Sequence, residues 1–353
     1  MPRENQVYED YWSITFAYTN IYGEKFHTSL KLILDFIDQN NITLDNYNDD
    51  LYNQLQQRLN SVYEMNEISI RKIINQYVKL GFVNYKLAGY HPDARKFLIS
   101  SSNEEKQIIF SKIVYQSSNF KRDVTEYNDD QKPMNFLLKT LAYSGPLTED
   151  DRIALMLTDL SRTTRDFLTR DELEEKKRYA EIIDFKERKY NQIDHFTNLL
   201  GKLSDVFLDN NKTLYLTEDD MPDDIEELEK RDPYLHRLYK STLKEESVQL
   251  FDKEICYLEK LDYPSLVASH IKPFKKSNPS EQYDKNNGLL LSRGMDALFD
   301  KGYISFNDDG TIILSDRLSK DVKEHLKNYS LDSIILNEQR LEYLHYNREF
   351  VFK

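Results

Sequence analysis

Apolar residues at Leu30, Ile33, Leu34 and Ile37 recur at helical spacing, which predicts an amphipathic helix over 26–37. Residues 68–80 repeat the pattern. Ile70, Ile73, Ile74 and Tyr77 form one face, and Arg71, Lys72, Asn75, Gln76 and Lys79 form the other. Gly81 supplies a helix stop. Two strand-like runs follow, 82–86 and 96–99, around the turn residues Gly89-Tyr90-His91-Pro92-Asp93. A similar order returns later. Phe196, Leu199, Leu200 and Leu203 make a helical stripe with Asn198 and Lys202 off it. Then 206–208 and 213–216 bracket Asp209-Asn210-Asn211-Lys212 and predict a hairpin. Residues 148–189 between them are charged and helical in pattern. In the last third, the apolar run Leu266-Val267-Ala268 leads to His270, a second run occupies 289–291, and 303–306 and 311–314 flank the turn Asn307-Asp308-Asp309-Gly310.

Composition narrows the class. Hydrophobic content of 39%, with 18 Phe and 25 Tyr in 353 residues, is enough for packed cores in two or three domains. No stretch is long and apolar enough to span a bilayer, and residues 1–5 lack a signal-peptide core, so a soluble cytoplasmic protein, bacterial in type and without a membrane partner, is expected. The single cysteine, Cys256, excludes an internal disulfide and a cysteine-rich zinc site, and reads as a core thiol.

The net charge of −13 argues against a protein that coats nucleic acid with a uniformly basic surface. Its distribution is uneven. Residues 51–100 hold 7 basic and 3 acidic residues, whereas 201–250 hold 7 basic and 13 acidic ones. The acidic run 218–227 reads as a solvated loop and helix start. The run 171–176 reads as a solvated helical face.

Helix, glycine stop and two-stranded ribbon over 68–99 resemble a winged helix-turn-helix. The resemblance implies that helix 68–80 enters the major groove through Arg71, Lys72, Asn75, Gln76 and Lys79. The ribbon, with Lys86, Arg95 and Lys96, would touch the DNA backbone. Residues 196–216, with Asn198 and Lys202, offer a second and weaker outline of the same kind.

The C-terminal third carries "ASHIKPF", then "NGLLL", then "DALFDKGYISF", and closes on 337–348. In order and spacing these motifs resemble the HNH endonucleases in their restriction-enzyme branch, over about 250–353. An imidazole at the end of a strand suits a general base at neutral pH, which marks His270. Asp296 and Asp300, four apart on a helical stretch, place two carboxylates on one face, a hard-oxygen pair suited to Mg²⁺ or Mn²⁺. The resemblance makes Asn287 the middle motif residue, which would hold the loop and orient His270. Lys272 and Arg293 are candidates to offset charge on the phosphate. Ser269 stands where many relatives carry a metal ligand, so the protein ligands would have to come from Asp296 and Asp300. The CxxC pairs that bind structural zinc in many such modules are absent, and no structural zinc is expected. His27, His91, His195, His236, His325 and His345 have no ligand-spaced partner and read as surface or core residues.

The expectation is therefore an α+β multidomain protein. It has a winged-helix-like recognition domain (1–125), a second helical or winged-helix-like domain (126–220), an acidic linker and helix (221–249), and a ββα-metal nuclease domain (250–353). Its expected function is sequence-specific cleavage of double-stranded DNA in the manner of a type II restriction enzyme, with homodimerisation one route to double-strand cuts. The alternatives are a homing or defence nuclease whose N-terminal region binds a protein or a modified base, and a DNA-binding regulator with an inactive nuclease module.

Overall fold

The computed structural model describes residues 11–12, 20–126, 131–217 and 231–353. The acidic run 218–227 lies outside them. The chain divides into two compact units, 1–217 and 218–353.

The first unit is helical: α1 (Glu24–Asn40), α2 (Asp49–Tyr63), α3 (Glu67–Leu80), α4 (Ala94–Ile99), α5 (Asn103–Ser117), α6 (Pro133–Ser144), α7 (Glu149–Met156), α8 (Arg170–Ile182) and α9 (Phe185–Leu200), followed by the hairpin β1 (Val206–Leu208) and β2 (Leu214–Leu216). The helical face read over 26–37 is the buried face of α1, with Leu30, Ile33 and Leu34 fully buried. Helix α3 starts on Asn66, whose side chain accepts from Ser69 N. It stops at Gly81, at φ 87°, where a Cβ would lie 2.6 Å from the Ser117 carbonyl carbon. Both the left-handed backbone and the close approach require glycine there. Phe26, Phe82 and Phe97 interlock edge to face beneath these helices, with Tyr77 tilted against Phe26 and Phe110 tilted against Phe82.

The first expected ribbon is not built. Val83 and Tyr90 share one isolated bridge, Tyr85–Leu87 forms a short 3₁₀ turn, and 96–99 belongs to α4. The burial pattern explains this. A strand would place Phe97 and Ile99 on one face, yet Phe97 is buried with Ala94 while Ile99 is 81% exposed. Spacing of three is helical spacing. The second outline has its expected parts: α9 is followed by β1 and β2, antiparallel with Phe207 opposite Tyr215. Asp209 closes the turn by accepting from Asn211 N and Thr213 N. Glu172, in the acidic run 171–176, caps α8 with Thr169 and pairs with Arg165.

The second unit contains α10 (Pro233–Phe251), β3 (Leu266–His270), β4 (Gly288–Ser292), α11 (Arg293–Asp300), β5 (Ile304–Phe306), β6 (Ile312–Leu314), α12 (Lys320–Leu326) and α13 (Glu338–Phe350). β3 and β4 pair antiparallel, with His270 opposite Gly288, and β5 and β6 form the expected hairpin. Both strands of the first pair are nearly wholly buried because α10 and α11 pack against them. Thus α10, in the stretch read as linker and helix, contributes Tyr239 and Leu243 to the core of this unit. Cys256 is fully buried in that core, and burial raises its thiol pKa. Glu246 of α10 and Arg340 of α13 form a buried ion pair at 2.8 Å. Among the described residues no helix is long and apolar enough to cross a membrane.

Candidate active site

The geometry starts from one register. His270 ends β3, Gly288 begins β4, and Asn287 stands just before it. The loop 271–287 therefore leaves and returns at the same point. Asn287 closes it from inside. Its Oδ1 accepts from Lys272 N at 2.7 Å, and its Nδ2 lies within bonding distance of Lys272 O, Ser277 Oγ and Glu281 O. The residue is fully buried. A carboxylate could not donate here and an apolar side chain could do neither, so an amide fits the position.

His270 is 8% exposed. Its Nε2 lies 2.9 Å from Gln282 O. A carbonyl only accepts, so Nε2 carries the proton and Nδ1 is the acceptor of the neutral ring. Tyr239 stacks on the imidazole at 4.7 Å between centroids, and Phe274 meets it edge-on at 5.6 Å. Burial lowers the His270 pKa to about 4, against the bond to Gln282 and helped by Arg231. The imidazole is therefore neutral at pH 7, the state a general base needs. His236, read from the sequence as having no partner, lies parallel to His270 at 6.4 Å; it is half-buried, and desolvation lowers its pKa to about 3.

Asp296 and Asp300 lie on α11, which Ser292 caps by accepting from Met295 N. Asp296 is half-buried and Asp300 exposed. Burial raises the Asp296 pKa; Ser269 opposes this, the Asp300 charge adds to it, and Arg231 lowers it. Ser269 Oγ is buried and makes no well-directed hydrogen bond, though it lies close enough to Asp296 to favour its charged form. A desolvated carboxylate beside a second carboxylate and an unsatisfied buried hydroxyl is a donor set that fits a hard divalent cation. Among the described residues no three His, Cys, Asp or Glu side chains converge as metal ligands. Water and substrate phosphate would have to complete the coordination of a cation held here.

The cations fall out differently from the sequence reading. Lys272 Nζ is 2.7 Å from a Glu281 carboxylate oxygen and lies over the Tyr346 ring, so its charge is neutralised within the loop. Arg293 is exposed at the start of α11. Arg231 was missed. Its guanidinium lies over the Phe274 ring at 5.1 Å, and its charge acts on both His270 and Asp296. It lies 39 residues before His270 in the chain, so no local motif could signal it.

The residues singled out for DNA contact also divide. Arg71 and Lys72 are exposed on α3. Asn75 Oδ1 accepts from Val124 N, Gln76 is half-buried, and burial lowers the Lys79 pKa. Lys86 lies over the rings of Tyr47 and Tyr85. Arg95 bonds Asp35 at 2.7 Å and Asp38 at 2.5 Å, and Lys96 pairs with Asp93 at 2.9 Å. In the second outline, Asn198 is exposed and Lys202 Nζ donates to its backbone oxygen.

Two antiparallel strands and a helix, carrying a buried histidine, a loop-closing asparagine and a carboxylate, define a ββα nuclease module. Residues 255–307 match the family model of the HNH endonucleases, and the second unit contains an HNH nuclease domain. The match spans His270, Asn287, Asp296 and Asp300 and stops short of α10 and α13. No curated protein matches the chain.

Proposed function

We propose that the protein is a DNA endonuclease of restriction type, in which the first unit selects the site and the HNH domain hydrolyses one phosphodiester per visit. The observation that carries the reading is the His270 imidazole, kept neutral by burial and fixed through Nε2, with Nδ1 left to accept a proton. In this reading Nδ1 takes a proton from water as its oxygen attacks the scissile phosphorus, and the 3′-oxygen leaves. Asn287 keeps the loop closed, so the Gln282 carbonyl stays in place beneath the imidazole. Asp296 and Asp300 would hold Mg²⁺ or Mn²⁺, which when bound supplies charge to the phosphate and the leaving oxygen. Arg231, which precedes the sequence motif, adds a positive charge that acts on His270 and Asp296. One such site cuts one strand, so a double-strand break calls for two copies or two visits.

Exposed Arg71 and Lys72 on α3 support DNA contact by the first unit. The test is plasmid cleavage with Mg²⁺, with Mn²⁺, and with chelator. Cutting that requires the cation, that is abolished by His270→Ala and Asp296→Asn, and that leaves uniform ends is the expected result. Normal cutting by His270→Ala would remove the base. A wild-type protein that binds DNA but never cuts it would leave the regulator reading in its place.

A further inference from the structure

We propose that Tyr239 of α10 is a positioning residue for His270, so that the active site is completed by a helix preceding the matched HNH segment. The inference rests on the nuclease reading and identifies what aims its base. Three contacts converge on this one side chain. Its ring stacks on His270, at 4.7 Å and 22° between planes. Its hydroxyl donates to the Asn287 backbone oxygen at 3.0 Å, and that oxygen also accepts from Ile271 N at 3.1 Å. The third contact is with Gly288, where a Cβ would lie 2.2 Å from the Tyr239 hydroxyl oxygen and 2.8 Å from Leu243. Gly288 has φ −138°, which any residue can adopt. The glycine of the NGLLL motif is thus explained by close approach of Tyr239, not by backbone conformation.

The arrangement has a mechanical consequence. A histidine with one ring nitrogen fixed can still swing about that bond. Stacking on Tyr239 and the edge of Phe274 remove the freedom, and they set the direction in which Nδ1 points. The tyrosine is itself fully held, being 2% exposed, bonded at its hydroxyl and seated on a helix packed against β3 and β4. A base must be held to a fraction of an ångström, since a misplacement of about 1 Å can cost about a hundredfold in rate.

The experiment uses the full-length protein with Tyr239→Phe and Tyr239→Leu. Cleavage is followed at saturating and subsaturating DNA with Mg²⁺, and the His270 Nε2 proton is followed by NMR without metal. Leucine removes the ring and should lower kcat about 30-fold or more while KM and DNA affinity stay within about twofold. Its Nε2 proton, protected in the wild type by the bond to Gln282, should exchange too fast to be seen. Phenylalanine keeps the stack, so the proton should remain and kcat should fall only about threefold. If Tyr239→Leu loses its dispersed amide spectrum, Tyr239→Met, closer in volume, replaces it with the same expectation. Wild-type kcat with a wild-type Nε2 proton in the ring-free variant would overturn the proposal, as would a loss confined to KM. If the wild type cuts no DNA while the Nε2 proton still depends on the ring, the nuclease reading fails and the positioning role stands.

Discussion

Burial of His270 makes the second unit acid-sensitive by an amount that can be worked out. The folded-state pKa is about 4, below the unfolded value of about 6.5. Below 6.5 the unfolded chain takes up a proton that the folded site resists, so acid favours unfolding. The stability contributed by a neutral His270 is fully present above pH 6.5. It is lost as pH falls from 6.5 through 4. At about 1.4 kcal/mol per pKa unit the full loss is about 3 kcal/mol, of which about 2 is lost by pH 5. His236, with a pKa of about 3, acts in the same direction, and burial lowers His27 and His91 in the first unit as well. Total acid sensitivity therefore cannot isolate one residue, but a comparison can. The perturbation is His270→Gln, which removes the titration. The lone Trp12 lies in the first unit, so fluorescence would report the wrong half. Hydrogen exchange of the β3 and β4 amides reports local opening of the site. The wild type should lose about 2 kcal/mol more than the variant between pH 7 and pH 5. Equal losses in both proteins would show that the buried imidazole does not resist protonation, and that burial is not what keeps the base neutral.

Glu246→Ala leaves the fully buried Arg340 without its carboxylate, and Tyr257 with only the Leu243 backbone oxygen to accept from its hydroxyl; it should destabilise the second unit by about 3–5 kcal/mol in denaturant unfolding, and a loss below about 1 kcal/mol would refute the buried pair. Arg71→Ala and Lys72→Ala should each weaken DNA binding and reduce the salt slope by about one, whereas Arg95→Ala should mainly destabilise the first unit, because Asp35 and Asp38 neutralise it; a gel-shift salt titration beside thermal melting separates the two outcomes.

What was legible in the sequence followed from short-range constraints. The apolar run ending in His270 was readable as a strand, and NGLLL entered through the family resemblance; their pairing is what the structure adds. Asp296 and Asp300 could be placed on one helical face by spacing alone. The first ribbon was misread because 96–99 is apolar enough for either element. Only Phe97 packing inward with Ala94 decides for helix. Charge was the least transferable signal. Residues 51–100 are basic in sequence, yet Arg95 is neutralised by α1 and Lys96 by Asp93. The basic residues that remain exposed on α3 are Arg71 and Lys72, with Glu67 exposed at its start. Lys272 met the same fate through Glu281, nine residues on, because loop 271–287 folds back on itself. Tyr239 and His236 could not be read at all. Their partners lie more than thirty residues away, and a helix before the motif carries no mark of the strand it covers.

Arg231 is the cation whose charge reaches both the candidate base and the candidate metal ligand. Its positive charge lowers the pKa of both groups. Arg231→Gln should therefore raise both, so that His270 becomes protonated, and Asp296 neutral, at higher pH than in the wild type. Both changes disable the site in the same direction. The acidic limb of the kcat–pH profile should move to higher pH, and kcat at neutral pH should fall by about 10- to 100-fold if the guanidinium also meets the transition state. Arg231→Lys separates the two effects. It keeps the charge, and with it the position of the limb, but loses the planar fork that can contact two phosphate oxygens and stack on Phe274. A lysine variant with a wild-type limb and a reduced plateau is the expected result. An unmoved limb in Arg231→Gln would mean that the charge is screened from the base, and the phosphate would then have to be met by Arg293 at the start of α11.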